Sequence, residues 1–214
     1  MLGVSLFKKA FNESMTATLF IVAPTQVEGL GSYENITTCS KSKLVAWLQM
    51  HGITDSSSYK NKLNWLLYKG HREEFTTLAQ ELSAMSGIAR QQYINSLSEQ
   101  DQQKNKVICV HQFMNVLTPA GITAFDYAQL IALYKIGSRL RLIGWRKAQS
   151  SSLEAAQIVQ SKYRSWHEYY SACIAGAYFE SPPTDISLLQ LRYAQKLLIA
   201  TRIHPPIQWD RKLK

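Results

Sequence analysis

The stretch ITAFDYAQLIALYKIGSRLRL, residues 122–142, decides the fold of this chain. Its apolar residues recur at the three- and four-residue spacing of a helix, which predicts a strongly amphipathic α-helix. The residues expected to face the core are Phe125, Leu130, Ala132, Leu133 and Ile136, with Tyr127 and Tyr134 beside them. A helix of this length with one apolar face needs other helices to cover that face.

The same spacing recurs along the rest of the chain between glycine, proline and serine turn signals. We therefore predict an all-α fold, a compact single domain of about eight helices. The run from Ala17 to Ala23 is rich in β-branched residues and ends at Pro24, so we expect a short N-terminal strand or an extended segment there.

Turn signals and polar stretches also suggest how the chain is divided. We predict an N-terminal segment, 1–38, packed on a helical core domain, 39–204, and followed by a basic C-terminal tail, 205–214. The highly polar stretch 98–106 is the one internal boundary that the sequence suggests, either as an exposed helix start or as a hinge.

Positive charge is concentrated in the second half of the chain. The formal net charge is +9, and residues 108–214 hold 13 Lys and Arg against 6 Asp and Glu. The densest part is a basic cluster that includes one tryptophan: Lys135, Arg139, Arg141, Trp145, Arg146 and Lys147. Such a cluster can bind nucleic acid, anionic lipid or an acidic protein, and it is equally typical of a solvated surface.

Cysteine usage and hydropathy indicate a reducing compartment. Cys39, Cys109 and Cys173 are odd in number and widely spaced, and two of them lie in apolar runs, so we expect buried free thiols. The apolar run near the N-terminus is too short for a Sec signal or for a membrane span. We therefore predict a cytoplasmic protein, although export by a machine that reads other signals stays open.

Two groups of short motifs resemble a known family. The first comprises GITD (52–55), LNWLL (63–67) and GHREEF (70–75), and the second AFDY (124–127), SWHEY (165–169) and GAYF (176–179). In this order they resemble the bacterial family called domain of unknown function 1266, over roughly residues 47–179. The resemblance implies a soluble bacterial protein without an assigned activity, and some relatives joined to J-domains suggest chaperone networks. It also implies an arginine where this chain has Gln129, so a catalytic role built on an Asp–Arg pair with Asp126 is in doubt.

The densest polar group within these motifs contains the candidate catalytic residues. His71, Arg72 and Glu74 begin a helix, where carboxylates complement the helix dipole and a histidine beside carboxylates can transfer protons. Asp126 lies on the amphipathic helix, and a buried carboxylate needs a partner, for which Arg72 is our candidate. The structural interpretation, an ion pair that ties two helices together, is favoured over the catalytic one.

Other motifs have structural explanations or are absent. Ser165 and Glu168 have capping-box spacing, which accounts for that element without catalysis. No zinc spacing, phosphate-binding loop or dinucleotide fingerprint occurs, so the sequence predicts no metal and no cofactor.

Three functions follow from these observations. The first is a non-enzymatic protein–protein interaction module, either a chaperone accessory or a partner in a toxin or secretion system. The second is a nucleic-acid-binding or nuclease-like effector that uses the basic second half. The third is an enzyme with a cleft around His71 and Asp126. The sequence identifies neither the partner nor the oligomeric state.

Overall fold

Helices form most of the chain that the structure describes. A computed structural model describes residues 2–22, 36–98, 102–183, 186–203 and 207–213. The helices are α1 (Leu2–Val22), α2 (Lys41–Met50), α3 (Ser56–Tyr68), α4 (Gly70–Ser83), α5 (Gly87–Ser96), α6 (Gln102–Phe113), α7 (Thr123–Arg139), α8 (Trp145–Lys162), α9 (Trp166–Glu180) and α10 (Leu189–Ile203). A 3-10 turn, Ile186–Leu188, precedes α10. No strand occurs within these ranges, and the prediction of a single all-α domain is confirmed.

Helix α7 is the centre of the fold, but it is not amphipathic. The five residues predicted to face the core are buried, and nearly all the other residues of the helix are buried as well. The reason is that α1, α3, α4, α8 and α9 all pack around α7, so it has no solvent face. A pattern of apolar residues on one face cannot reveal that neighbours cover the other face too.

Two glycines allow the neighbouring helices to approach α7 closely. A Cβ on Gly176 of α9 would lie 2.3 Å from Cβ of Phe125, well inside contact distance. A Cβ on Gly137 of α7 would lie 2.0 Å from the Tyr59 hydroxyl oxygen. That hydroxyl donates a 3.0 Å hydrogen bond to the carbonyl of Leu133, which fastens α3 to α7. The lack of a side chain at Gly176 therefore serves the packing of α9 on α7.

The N-terminal strand is a wrong prediction over the described residues. Helix α1 continues unbroken to Val22, while Ala23 lies outside the described residues. The hydroxyls of Thr16 and Thr18 donate to carbonyls one turn earlier, so these β-branched residues are accommodated in the helix. Phe11 and Met15 are completely buried, and the Tyr169 hydroxyl donates to the Met15 carbonyl at 2.8 Å. Burial of this face outweighs the local strand preference.

The C-terminal residues 207–213 are packed onto the domain, whereas the sequence suggested only a basic tail. Trp209 is buried against Phe11 and Trp166 at ring-centroid distances of 5.4 and 4.9 Å. Its indole N–H donates to the carbonyl of Tyr163 at 2.8 Å. This segment therefore contributes to the core near the start of α9.

Some predicted features fall outside the described residues. They are residues 23–35 of the N-terminal segment, 99–101 of the polar stretch, and the boundary between 204 and 205. Within the polar stretch, α6 begins at Gln102.

Candidate functional site

A tight corner between α3 and α4 brings the motif residues together. Helix α3 ends at Tyr68 and α4 begins at Gly70, which has a φ angle of +67°. Glycine adopts this left-handed conformation without steric cost. A Cβ at this position would also lie 2.1 Å from Oδ2 of Asp126. Gly70 is therefore required by its backbone conformation and by the carboxylate packed against it.

The Asp126 carboxylate caps the first turn of α4 from another helix. Lys69, the residue before α4, makes no side-chain cap. Instead, the backbone N–H groups of His71 and Arg72 donate to Oδ1 and Oδ2 of Asp126, each at 3.0 Å. The first N–H groups of a helix have no partner within the helix, and a carboxylate there also complements the helix dipole. Asp126 therefore acts as an N-cap, although it is more than fifty residues away in the chain.

Arg72 completes the corner by capping the preceding helix. Its Nη1 lies 3.1 Å from Oδ2 of Asp126, which confirms the predicted pair. The same Nη1 donates to the carbonyl of Leu66 at 2.6 Å, and Nη2 donates to that of Leu67 at 2.7 Å. These carbonyls lie in the last turn of α3, where they lack partners within the helix. One guanidinium thus joins the end of α3 to the buried carboxylate of α7.

This environment leaves Asp126 poorly suited to catalysis. The residue is completely buried, and burial raises the pKa of its carboxyl. The charges of His71 and Arg72 and the two backbone donors act against that rise. Three N–H groups already use the carboxylate oxygens, so binding a substrate there would break the helix corner.

A second polar group, which we call the His71–Glu180 cluster, lies beside this corner. It consists of His71, Glu180, Gln129, Lys62 and Trp65. Nε2 of His71 lies 3.0 Å from Oε1 of Glu180, and the two side chains are 15% and 16% exposed. The geometry of this contact is not that of a well-aligned hydrogen bond. Gln129 donates its amide N–H to Glu180 at 3.2 Å.

Aromatic rings pack against the same cluster, and nearby charges shift the pKa values of its members. The Trp65 ring is perpendicular to His71 at 4.8 Å, and Nζ of Lys62 lies 4.1 Å from the Trp65 ring centroid. Burial would raise the pKa of Glu180, but the contact and charge of His71, the amide of Gln129 and the charge of Lys62 lower it overall. Burial lowers the pKa of Lys62, while the charges of Glu180 and Asp126 oppose that shift. A histidine beside an ionised carboxylate, partly open to water, can transfer a proton.

The four candidate catalytic residues therefore do not line one common cleft. Arg72 and Asp126 bond to each other at the corner, and His71 contacts Glu180. The side chain of Glu74 points instead to α6. There its carboxylate accepts from Nζ of Lys106 at 2.7 and 2.8 Å, which links α4 to α6. Within the described residues, no group of three or more His, Cys, Asp or Glu side chains is placed to hold a metal ion.

The sequence interpretation missed Glu180 and Lys62. One signal was available, because Glu180 is the last residue of α9 and an acidic residue is unfavourable at that end of a helix. A residue that opposes the helix dipole suggests another role, here contact with His71. Gln129, singled out only because the resemblance implies arginine there, turns out to be the neutral partner of the same carboxylate.

The capping box at Ser165 forms only in part. Ser165 Oγ accepts the backbone N–H of Glu168 at 3.2 Å, as predicted. The Glu168 carboxylate, however, accepts the N–H of Arg164 at 2.7 Å, one residue before the expected donor. Helix capping therefore still explains this element, but the Glu168 carboxylate bonds to Arg164 and not to Ser165.

The basic cluster does not form one continuous surface. Nζ of Lys135 donates to the Asn12 carbonyl and the Thr16 hydroxyl, both at 2.9 Å, and burial lowers the pKa of Lys135 to about 8. Arg139 donates to the carbonyls of Ile36 and Cys39. These two cations therefore hold the N-terminal region against α7 and are not free for a ligand. The cluster's remaining members stay exposed around the start of α8: Arg141, Trp145, Arg146 and Lys147.

Thiols and hydrophobicity agree with parts of the sequence interpretation. Cys39, Cys109 and Cys173 are all buried and free, as predicted. Among the described helices, none has both the length and the hydrophobicity to cross a bilayer.

These features define an all-helical protein in which one helix corner is locked onto a buried central helix by a glycine, an arginine and an aspartate. The chain belongs to the family described as "Protein of unknown function (DUF1266)", whose family model matches residues 48–199. The matched region contains the corner, all of α7 and the His71–Glu180 cluster. No curated protein and no solved structure matches the chain.

Proposed function

We propose that this protein is a non-enzymatic protein–protein interaction module that binds its partner through the outer side of α10. The observation that carries the proposal is a set of exposed apolar side chains, which we call the α10 face: Leu188, Leu191, Leu198 and Ile199. Their exposed fractions are 38%, 58%, 51% and 44%. Single exposed apolar residues are normal on a surface, but a group of four along α10 and the 3-10 turn before it is typical of an interaction site.

Most of the charged motif residues already bond to other parts of the protein, which supports a non-catalytic role. Asp126 and Arg72 bond to helix ends, and Glu74 bonds to Lys106. An enzyme in this region would have to rely on the His71–Glu180 pair, and exchange of His71 for alanine would then abolish its activity. Each of the other candidates already has a structural role.

The proposed setting is the bacterial cytoplasm. Three buried free thiols suit a reducing compartment. A chaperone accessory, or a component of a toxin or secretion system, would present a hydrophobic face of this kind to its partner.

Site-specific photo-crosslinking in cells tests the proposal. A photoreactive amino acid is placed at Leu191 or Leu198, and at Ile88 of α5 as a control, because Ile88 is 75% exposed but lies on another helix. We expect one discrete protein adduct from positions 191 and 198 and none from 88, and the adduct should survive nuclease treatment. No adduct at 191 and 198, or the same adducts at all three positions, would contradict the proposal.

Nucleic-acid binding is the second candidate, and the exposure of Trp145 favours it. Trp145 is 64% exposed beside Arg146 and Lys147, so an aromatic platform lies next to exposed cations. Because Lys135 and Arg139 are bonded inside the protein, Arg141, Arg146 and Lys147 are the cations of the cluster left for phosphates. Three phosphate contacts give a salt slope of only about −2 to −3.

A titration with labelled single-stranded DNA over a salt series tests this second candidate. Exchange of both Arg146 and Lys147 for alanine should reduce the slope by about 1–2 and weaken binding. Binding without salt dependence, or unaffected by the exchange, would exclude this surface.

A further inference from the structure

We propose that the α10 face takes an amphipathic α-helix of the partner protein, with aspartate and glutamate residues flanking its apolar stripe. This inference rests on the proposed function and adds the chemistry of the occupant. It follows from the spacing of the exposed residues, from the backbone that α10 offers, and from the charges around it.

Exposed residues of α10 and of the 3-10 turn before it have the spacing of a helix-packing seam. Leu188, Leu191, Gln195, Leu198 and Arg202 are all exposed and follow one another at intervals of three, four, three and four. This is the alternation with which two helices interlock their side chains. From Leu191 to Arg202 the seam is about 16 Å long, or three turns. The opposite side of α10 packs against α9 and α1, so the seam faces outward.

The backbone of α10 excludes a strand as the natural occupant. A bound strand gains its affinity from unpaired N–H and C=O groups at a sheet edge. The inner groups of a regular helix are already bonded to each other, so α10 offers only side chains. An apolar stripe of side chains is complementary to another amphipathic helix.

Charge determines which kind of helix fits. Residues 186–203 contain Arg192, Lys196 and Arg202 and no acidic residue. Nζ of Lys196 lies 4.8 Å from the Tyr178 ring centroid, so this side chain faces α9, whereas Arg202 is exposed on the seam itself. Carboxylates from a partner would be attracted by Arg202 and by the net charge of +9.

The same charges argue against a second copy of this chain. In a symmetric pair of α10 helices, the seam of one copy would face the seam of the other. Two basic surfaces without an acidic residue in 186–203 would then be brought together, which is unfavourable. An acidic partner avoids this repulsion and a homodimer does not.

Selection of peptides from a displayed library of random amphipathic helices tests the proposal. The purified full chain is the target, alongside Leu191→Gln/Leu198→Gln and the control Ile88→Gln, all at exposed positions. We expect the wild type and the control to enrich peptides with acidic residues beside an apolar stripe. The doubly substituted protein should bind those peptides at least about tenfold more weakly.

Several results would overturn the proposal. They are enrichment of neutral or basic peptides, no enrichment, or equal binding by the doubly substituted protein. A dimer in sedimentation that dissociates on Leu191→Gln/Leu198→Gln would assign the face to a second copy. Slow thiol labelling of Leu191→Cys in the isolated protein, as slow as at a buried site, would show that the chain itself covers the face.

The two proposals fail separately. A crosslinked partner at position 191 together with neutral or basic peptides would refute only the acidic occupant. The absence of any adduct at positions 191 and 198 would refute the interaction module itself.

Discussion

Exchange of Gly70 for alanine should be among the most destabilising single-methyl additions in this protein. The left-handed backbone alone costs an alanine about 1–2 kcal/mol. The new methyl would also lie 2.1 Å from Oδ2 of Asp126 and 2.6 Å from Nη1 of Arg72. The carboxylate would have to withdraw by more than 1 Å and would lose its donors, and disruption of a buried ion pair costs about 3–5 kcal/mol. The expected loss is therefore about 4–7 kcal/mol in the free energy of unfolding.

Gly52 provides a matched control for this prediction. Its φ angle is +71°, almost that of Gly70, but nothing lies within 4 Å of a Cβ built there. Gly52→Ala should therefore show the backbone cost alone, about 1–2 kcal/mol. The difference between the two variants isolates the displacement of Asp126.

Urea denaturation followed by far-ultraviolet circular dichroism measures both variants. The midpoints, at a common m-value, give the two losses of stability. A Gly70→Ala protein that is already unfolded without urea agrees with the expected range, because a small domain has only about 5–15 kcal/mol in total. If Gly70→Ala and Gly52→Ala agree within about 0.5 kcal/mol, the carboxylate does not constrain this position and our account of the corner is refuted.

Three further predictions concern helix packing, pH and the C-terminal segment. Gly176→Ala should lower stability by about 1–3 kcal/mol because its methyl would meet Phe125, although an alanine in a helix normally gains up to about 1 kcal/mol. Thermal melts of Gly176→Ala are compared with those of Gly87→Ala, where the added methyl meets open space, to show whether stability falls or rises. The folded-state pKa of Glu180 is lowered from 4.5, so its contribution is present above that value and is lost as pH falls below it. Unfolding curves of wild type and Glu180→Gln should therefore converge at acid pH. Trp209→Ala should cost about 3–5 kcal/mol and expose the C-terminal segment to limited proteolysis.

Each of these predictions has a contradicting outcome. A Gly176→Ala protein more stable than wild type would mean that α7 and α9 are not in close contact. A difference in the free energy of unfolding between wild type and Glu180→Gln that stays constant from neutral to acid pH would mean that the charge of Glu180 does not stabilise the fold. A Trp209→Ala protein with unchanged stability would mean that residues 207–213 do not belong to the core.

Local patterns predicted the helices well because helix periodicity and caps are properties of neighbouring residues. The Asp55 cap of α3 and the positive φ angle of Gly70 are local features of this kind. The surroundings of α7 were not predictable in this way. The spacing predicted one buried face, whereas helices from distant parts of the chain cover the other face of α7 as well.

The site was predictable only where motifs pointed to it. Arg72 and Asp126 were paired correctly because both lie in recognisable motifs and a buried carboxylate needs a partner. Glu180 carried no motif, and its contact with His71 depends on how α9 packs against α4. Lys135 and Arg139 looked like surface cations because their acceptors lie about a hundred or more residues earlier in the chain.

Our central claim is that Arg72 and Asp126 hold the helix corner onto α7. Exchanging the two charges, Arg72→Asp with Asp126→Arg, should not rescue the fold. The arginine would face the backbone N–H groups of α4, and the aspartate would face the carbonyls of α3. A double-mutant cycle that removes the donors of Arg72 and the charge of Asp126 is therefore the better test of this pair.

The most direct measurement is the coupling free energy between Arg72→Met and Asp126→Asn from urea denaturation. The account predicts that each single variant loses about 3 kcal/mol or more, because it leaves its partner buried and unpaired. The double variant should lose less than the sum by at least about 1.5 kcal/mol. Single losses below about 1 kcal/mol, or additivity within about 0.5 kcal/mol, would contradict the claim that this pair locks the helix corner onto α7.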